Sequence, residues 1–229
     1  MTPISANLQA VLARIDAAAR RSGRDPGSIR LLAVSKTWPA AQVRAAAAAG
    51  QRAFGENYVQ EGVDKIGELA ALGLEWHFIG PLQSNKTRPV AEHFDWVHSI
   101  DRLKIAERLA GQRPTGMAPL DVCLQVNVSG EATKSGCAPA EAAALARAIA
   151  ALPKLRLRGL MAIPEPVEDF EAQRRPFRQL RELYERLRAD GLPLDTLSMG
   201  MSHDIEAAIA EGATMVRVGT AIFGERNKP

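Results

Sequence analysis

Short apolar runs alternate with helix-patterned stretches along almost the whole of this chain. That alternation restricts its fold more than any other feature. The runs lie at 31–35 (Leu31-Leu32-Ala33-Val34-Ser35), 52–55, 75–79 (Glu75-Trp76-His77-Phe78-Ile79), 95–98, 120–128, 157–163, 196–199 and 214–218. Helical stretches fill 40–49, 57–71, 84–93, 102–111, 139–151, 168–189 and 203–211. An amphipathic segment over 4–21 comes first, with Ile4, Leu8, Val11, Leu12 and Ile15 at helical spacing. Gly50, Gly73, Gly191 and Gly212 stand where helices stop. A helix between consecutive strands acts as the crossover, so the strands pair in parallel. Eight units with a repeat of roughly 25 residues predict a closed (β/α)8 TIM barrel with an extra N-terminal helix, an α/β fold. An open doubly wound sheet is the second reading, and it lacks a Gly-x-Gly-x-x-Gly turn after the first strand. No shift in composition marks a linker, so residues 1–229 read as a single domain, a usual length for such barrels.

Charge and cysteine content remove several function classes. The 29 basic and 26 acidic residues give a net charge of +3, and the two signs are interspersed, as between Glu171 and Arg188. That pattern reads as a solvated, ion-paired helix face, with no basic stripe for nucleic acid. Cys123 and Cys137 form no disulfide framework, and neither stands at metal-ligand spacing from a histidine; no metal is expected. Cys123 sits in an apolar run and reads as a small core residue. The first residues lack the pattern of a secretory leader, and no uncharged run approaches the roughly 20 residues of a membrane span. A cytoplasmic protein is expected.

In parallel barrels the site lies at the C-terminal ends of the strands. Lys36 follows the first strand directly. Partial burial there disfavours the ammonium, and a neutral amine can add to an aldehyde and form a Schiff base; a lysine that merely snorkels from the rim is the plainer alternative. Asn57 follows the second strand and reads either as a ligand contact or as a helix cap. His77 lies among aromatics and reads as a satisfied structural histidine, on the same strand face as Ile79 and opposite Trp76 and Phe78. Strand seven ends in Ser198-Met199-Gly200-Met201-Ser202, with a helix opening at once after it, and strand eight ends in Gly219-Thr220. Barrels commonly bind phosphate with these two loops and a helix N-terminus. Ser202 and Thr220 add hydroxyl donors, although Ser202 could equally be an N-cap. Asp204 and Glu206 would mildly repel a phosphate. Arg217 interrupts an apolar strand and needs an acceptor, either a carboxylate or a ligand atom. An aldehyde-reactive lysine facing a phosphate cradle suits pyridoxal 5′-phosphate (PLP).

The chain resembles the pyridoxal phosphate homeostasis protein family, whose barrel is similar to the N-terminal domain of alanine racemase. The likeness spans about residues 4 to 225. It is carried by Val34-Ser35-Lys36-Thr37, Phe54-Gly55-Glu56-Asn57, Trp76-His77-Phe78-Ile79-Gly80 with Leu82-Gln83 and Asn85-Lys86, Lys134-Ser135-Gly136, Leu197-Ser198-Met199-Gly200-Met201-Ser202 and Val216-Arg217-Val218-Gly219-Thr220-Ala221-Ile222-Phe223-Gly224. The resemblance implies that Lys36 carries PLP as an internal aldimine. It implies that the loop through Met199, Gly200 and Ser202 and the Gly219-Thr220 turn hold the phosphate, that Arg217 faces the pyridine nitrogen and that Asn57 lies beside the ring. Many relatives carry a second lysine two places after the first; here that place is Trp38, and Lys134 is the remaining candidate for a secondary amine. The function implied is PLP homeostasis: holding the cofactor, buffering it and delivering it to apo PLP-enzymes, without catalysis; the single domain suits a monomer, although the sequence does not fix the oligomeric state. The alternative is an amino-acid racemase, which needs a second base. In alanine racemase that base is a tyrosine from a further β-domain of a partner subunit, and no counterpart of that domain is expected in residues 1–229. Its tyrosines are Tyr58, near the barrel mouth, and Tyr184, in a long helix.

Overall fold

The computed structural model describes residues 2–130 and 135–225. Its strands are β1 (Arg30–Val34), β2 (Ala53–Glu56), β3 (Glu75–Phe78), β4 (Trp96–Ile100), β5 (Leu120–Gln125), β6 (Leu155–Met161), β7 (Thr196–Ser198) and β8 (Met215–Val218). They close one barrel in chain order, with every neighbouring pair parallel. Closure sets Leu32 beside Arg217 and Ala33 beside Val218. Each sequence run is a strand, and each helical stretch contains a helix.

The helices are α1 (Pro3–Arg21), α2 (Ala40–Ala48), α3 (Val59–Glu68), α4 (Thr87–His93), α5 (Leu103–Gln112), α6 (Ala142–Ala150), α7 (Phe170–Ala189), α8 (Ile205–Ala210) and α9 (Thr220–Phe223). The single turn α9 was not legible in the sequence, because four residues are too few to show a period. Helix α8 starts at Ile205, two residues later than the pattern suggests, because the loop before it makes its own turn.

Alternation along the strands sorts the side chains into two layers. Outward residues meet the helices: Phe54 packs on Trp76 at 5.8 Å between ring centroids, and Phe78 on Phe94 at 5.5 Å. Inside the barrel, Leu32, Val34, Ala53, Ile79 and Met215 form one apolar cluster, and Trp96, Cys123 and Met161 another. The interior also holds His77, His98, Ser198 and Arg217, all buried.

The extra helix α1 buries Leu8, Val11 and Ile15 and is tied to the last two units of the barrel. Arg14 grips Glu206 with two bonds of 2.7 Å, and Arg24 donates to the carbonyls of Ile209 and Ala213. Asn7 donates to the Ile222 carbonyl. A segment from the start of the chain thereby braces the loops after β7 and β8. Where β6 and β7 pair, Gly159 leaves no room for a side chain, since a Cβ would lie 1.7 Å from the Thr196 carbonyl oxygen. Gly159→Ala should therefore push β6 and β7 apart and lower stability by about 3 kcal/mol, read as a shift in the urea midpoint; an unchanged midpoint would show that the strands can move at no cost.

Candidate ligand site

Lys36 is placed by its two neighbours. Ser35 is buried, and its hydroxyl donates to Glu56 Oε1 at 2.6 Å. On the other side Thr37 has φ of 67°, the left-handed region that a β-branched residue rarely enters. Its N–H donates to Glu61 Oε1 at 2.5 Å, which holds that conformation. Lys65 joins the two anchors from α3, donating to Ser35 O at 2.8 Å, Glu56 Oε1 at 2.8 Å and Glu61 Oε1 at 2.6 Å. Burial raises the Glu56 carboxyl above its ordinary range, while Lys65 and Ser35 pull against that shift. This ionic knot lies on the helix side of the barrel, so Lys36 stands between two pinned residues and is aimed at the mouth.

A cavity of about 220 Å³ opens there, lined by Val34, Lys36, Ile79, Met201, Ser202, His203, Arg217, Gly219 and Thr220. Five of the eight predicted ligand residues thus meet in one place: Lys36, Ser202, Arg217, Gly219 and Thr220. Arg217 forms the floor. Nη1 donates to Ser198 O at 2.6 Å and Ser198 Oγ at 2.7 Å, and Nη2 donates to Ala162 O at 2.8 Å. Its acceptors are thus two carbonyls and a hydroxyl, not the carboxylate that the sequence reading weighed. Burial pulls its pKa down to about 10, which still leaves a cation at neutral pH.

The opposite wall is built from the two glycine-bearing loops. Gly219 packs so closely on β1 that a Cβ would lie 3.0 Å from Val34 O. The turn Gly219-Thr220 opens α9, and the first N–H groups of a helical turn have no acceptor within it. Ser202 is not the N-cap of α8; Asp204 takes that place, and its carboxylate accepts the Met201 N–H at 2.5 Å. The loop is braced further by Arg14, which donates to Ser202 O at 2.6 Å. Glu206 is occupied by the same arginine. The two acids expected to oppose an anion are therefore committed elsewhere.

The remaining predicted residues take other places. Met199 is fully buried in the core between barrel and helices, away from the cavity. Gly200 has φ of 94°, and a Cβ there would lie 2.5 Å from the Ala208 Cβ, so it is required by the packing of α8. Its carbonyl accepts the Arg217 N–H at 2.9 Å. Asn57 does not cap α3, whose N-cap is Tyr58 with no side-chain bond. Its Oδ1 is buried without a hydrogen-bond partner, and its backbone lies against Gly80, next to the cavity residue Ile79. Tyr58 is 57% exposed and lines a separate hollow with Asn57, while Tyr184 donates to Leu194 O in the packing of α7. Trp38 stacks on Phe223 at 6.2 Å. Lys134 lies outside the described residues. His77 is a satisfied buried histidine, bonded to Glu75 and His98. Sequence reasoning missed Glu56, Glu61 and Lys65, although Glu61 and Lys65 have the spacing of an i,i+4 pair. It also missed His98 and the part played by Ser198, for which no local pattern exists, since their bond spans 100 positions.

The family model for the alanine racemase N-terminal domain matches residues 6–227. The pyridoxal phosphate homeostasis protein of Pseudomonas aeruginosa is 65% identical over 227 residues, 99% of this chain and 97% of that protein. Its counterpart in Escherichia coli K12 is 59% identical over 230 residues, 99% and 98% of the two chains. Among solved structures, PipY of Synechococcus elongatus with PLP bound is 42% identical, with a TM-score of 0.82 over 96% of this chain and all of that one.

Removing the cation of the ionic knot should strand a buried carboxylate. Lys65→Met is expected to lose about 3 kcal/mol or more in chemical denaturation, and adding Glu56→Gln should recover most of it. Equal stabilities of the single variant and the unmodified protein would show that Glu56 is neutral there.

Proposed function

This chain belongs to the pyridoxal phosphate homeostasis protein family, and on that premise we propose that it binds PLP as a Schiff base on Lys36 and serves intracellular PLP homeostasis by holding and delivering the cofactor. The observation that carries this reading is the single cavity shared by Lys36, the buried cation of Arg217, and the Ser202 and Gly219-Thr220 loops. An aldehyde, a ring nitrogen and a phosphate ester are the three groups such a pocket can receive together. When bound, the cofactor supplies the aldehyde and an electron-withdrawing ring.

The chain's own residues divide the work. Lys36 offers the amine, fixed in direction by the Ser35 and Thr37 anchors. Ser202, Thr220 and the N–H groups of the turn at Gly219 take the phosphate. Arg217 donates a hydrogen bond to the ring nitrogen and keeps a proton off it, because a guanidinium gives up its proton far less readily than a pyridinium. With the nitrogen unprotonated the ring would be a weaker electron sink, which suits a holder or a racemase-type site and disfavours transamination. Asn57, with its orphaned amide oxygen, lies beside the ring. A racemase-like activity is the second reading, and it finds no support in Tyr58, which lines a different hollow from Lys36. Apo PLP-enzymes are the proposed recipients.

Lys36→Ala should abolish the borohydride-reducible adduct, seen by peptide mass mapping after loading with PLP, and leave the unfolding midpoint nearly unchanged. A reducible adduct retained in that variant would move the covalent site elsewhere. Ser202→Ala and Thr220→Val should each weaken PLP retention by about 1–3 kcal/mol in a release assay, with adduct formation intact. Equal release rates would take these hydroxyls out of the site.

A further inference from the structure

A chain of buried polar groups runs from Arg217 across the barrel interior, and its chemistry gives it one direction. Arg217 Nη1 lies 2.7 Å from Ser198 Oγ, and Ser198 Oγ 2.8 Å from His98 Nδ1. His98 Nε2 lies 2.9 Å from His77 Nδ1, and His77 Nε2 2.6 Å from Glu75 Oε1. Ser198, His98 and His77 are completely buried. Arg30 closes the far end with a 2.7 Å bond to Glu75 Oε1.

The two ends set the protons in between. A guanidinium can only donate. At the other end burial opposes ionisation of Glu75, but the His77 hydrogen bond and the Arg30 charge hold its carboxyl below the ordinary range, and Arg30 donates to the same Oε1 that faces His77, so Glu75 is the acceptor. A neutral imidazole has one donor and one acceptor. His77 must therefore carry its proton on Nε2 to serve Glu75, which leaves Nδ1 to accept from His98 Nε2–H. His98 Nδ1 is then an acceptor, and the Ser198 hydroxyl must donate to it. That turns the lone pairs of Ser198 toward Arg217. Every link is satisfied, and no other arrangement with neutral histidines satisfies them all.

We propose that His98 and His77 are positioning residues for Arg217: fixed as neutral Nε2–H tautomers, they orient Ser198 so that Arg217 stays a fixed, fully charged donor at the floor of the cavity. The groups facing the imidazoles support neutrality. Burial lowers the pKa of both; the Arg217 and Arg30 charges lower that of His98 further, and around His77 the carboxylates of Glu75 and Asp95 only partly offset burial and the Arg30 charge. Trp96 stacks on the His77 ring at 5.2 Å and adds to its burial. The consequence for the cofactor rests on the function proposed above: a rigid Arg217 presents one N–H to the ring nitrogen.

The first arm of the test needs no cofactor. The chain has four histidines, and His93 and His203 are the exposed ones. With ¹⁵N-histidine labelling, two-bond ¹H–¹⁵N spectra of the unloaded protein should show two imidazoles as Nε2–H tautomers that do not titrate between about pH 5 and 8. His93→Gln and His203→Gln would remove the other two signals and complete the assignment. An Nδ1–H tautomer at either buried histidine, or an imidazolium in that window, overturns the proposal. The second arm uses the PLP-loaded protein. His98→Leu should shift the visible absorption band of the bound cofactor, and His98→Asn, which keeps an acceptor for Ser198, should restore it. A band unmoved by His98→Leu overturns the positioning role. Absence of any reducible adduct in the unmodified protein would instead refute the covalent reading and leave the tautomer measurement to decide this one.

Discussion

Pairing of β8 back onto β1 is the constraint on which the site depends. The register sets Ala33 beside Val218, so the residues that continue past each strand end, Lys36 and Gly219-Thr220, come out at the same height on the barrel rim. They are more than 180 positions apart in the chain, a separation that only closure removes. Gly219 sharpens this, because its missing side chain lets the β8 turn lie against the Val34 carbonyl. An open sheet with the same eight strands would leave the amine on one edge and the anion-binding loops on the other. The bracing by α1 follows the same logic: Arg14, Asn7 and Arg24 all fasten the units that must meet β1.

The barrel was legible in the sequence because each strand is buried on both faces and each helix on one, and those two burial patterns give different periods. Lys36, Ser202, Gly219 and Thr220 were legible for a related reason, since the residue just past a strand in a parallel barrel has only the mouth to enter. What the sequence hid depends on side chains meeting across the barrel. Arg217 was visibly in need of an acceptor, but nothing local announces that Ser198 and the Ala162 carbonyl supply it. His77 looked like a solitary histidine; its partner His98 lies on the next strand, 21 positions away. Met199 and Gly200 were drawn into the expected site by their neighbours in sequence. Yet the strand period puts Met199 on the helix side, and Gly200 is fixed by the approach of Ala208.

A buried guanidinium is costly unless its charge is answered, and a carboxylate in direct contact would answer it most simply. That solution would also cancel the field that Arg217 exerts on its cavity. Here the direct acceptors are neutral, and the nearest carboxylate along the hydrogen-bonded chain, Glu75, is reached only through Ser198, His98 and His77. Intervening neutral groups polarise in the favourable sense and offset part of the desolvation without neutralising the cation. The arrangement therefore stabilises a charge while leaving it available to whatever enters from the mouth.

The same reasoning bears on the choice between a holder and a racemase-like site in the function proposed above. Carbanion chemistry on a pyridoxal ring needs an electron sink and a base on each face of the reacting carbon. A fixed cation that donates a hydrogen bond without surrendering its proton would weaken the sink, which speaks against transamination and leaves holding and racemisation both open to a ring so placed. The Lys65 knot and the bond from the Thr37 N–H to Glu61 fix the backbone on both sides of Lys36, which sets where its side chain starts into the cavity. Tyr58 lines the hollow beside Asn57 and is not among the residues that line the cavity at Lys36.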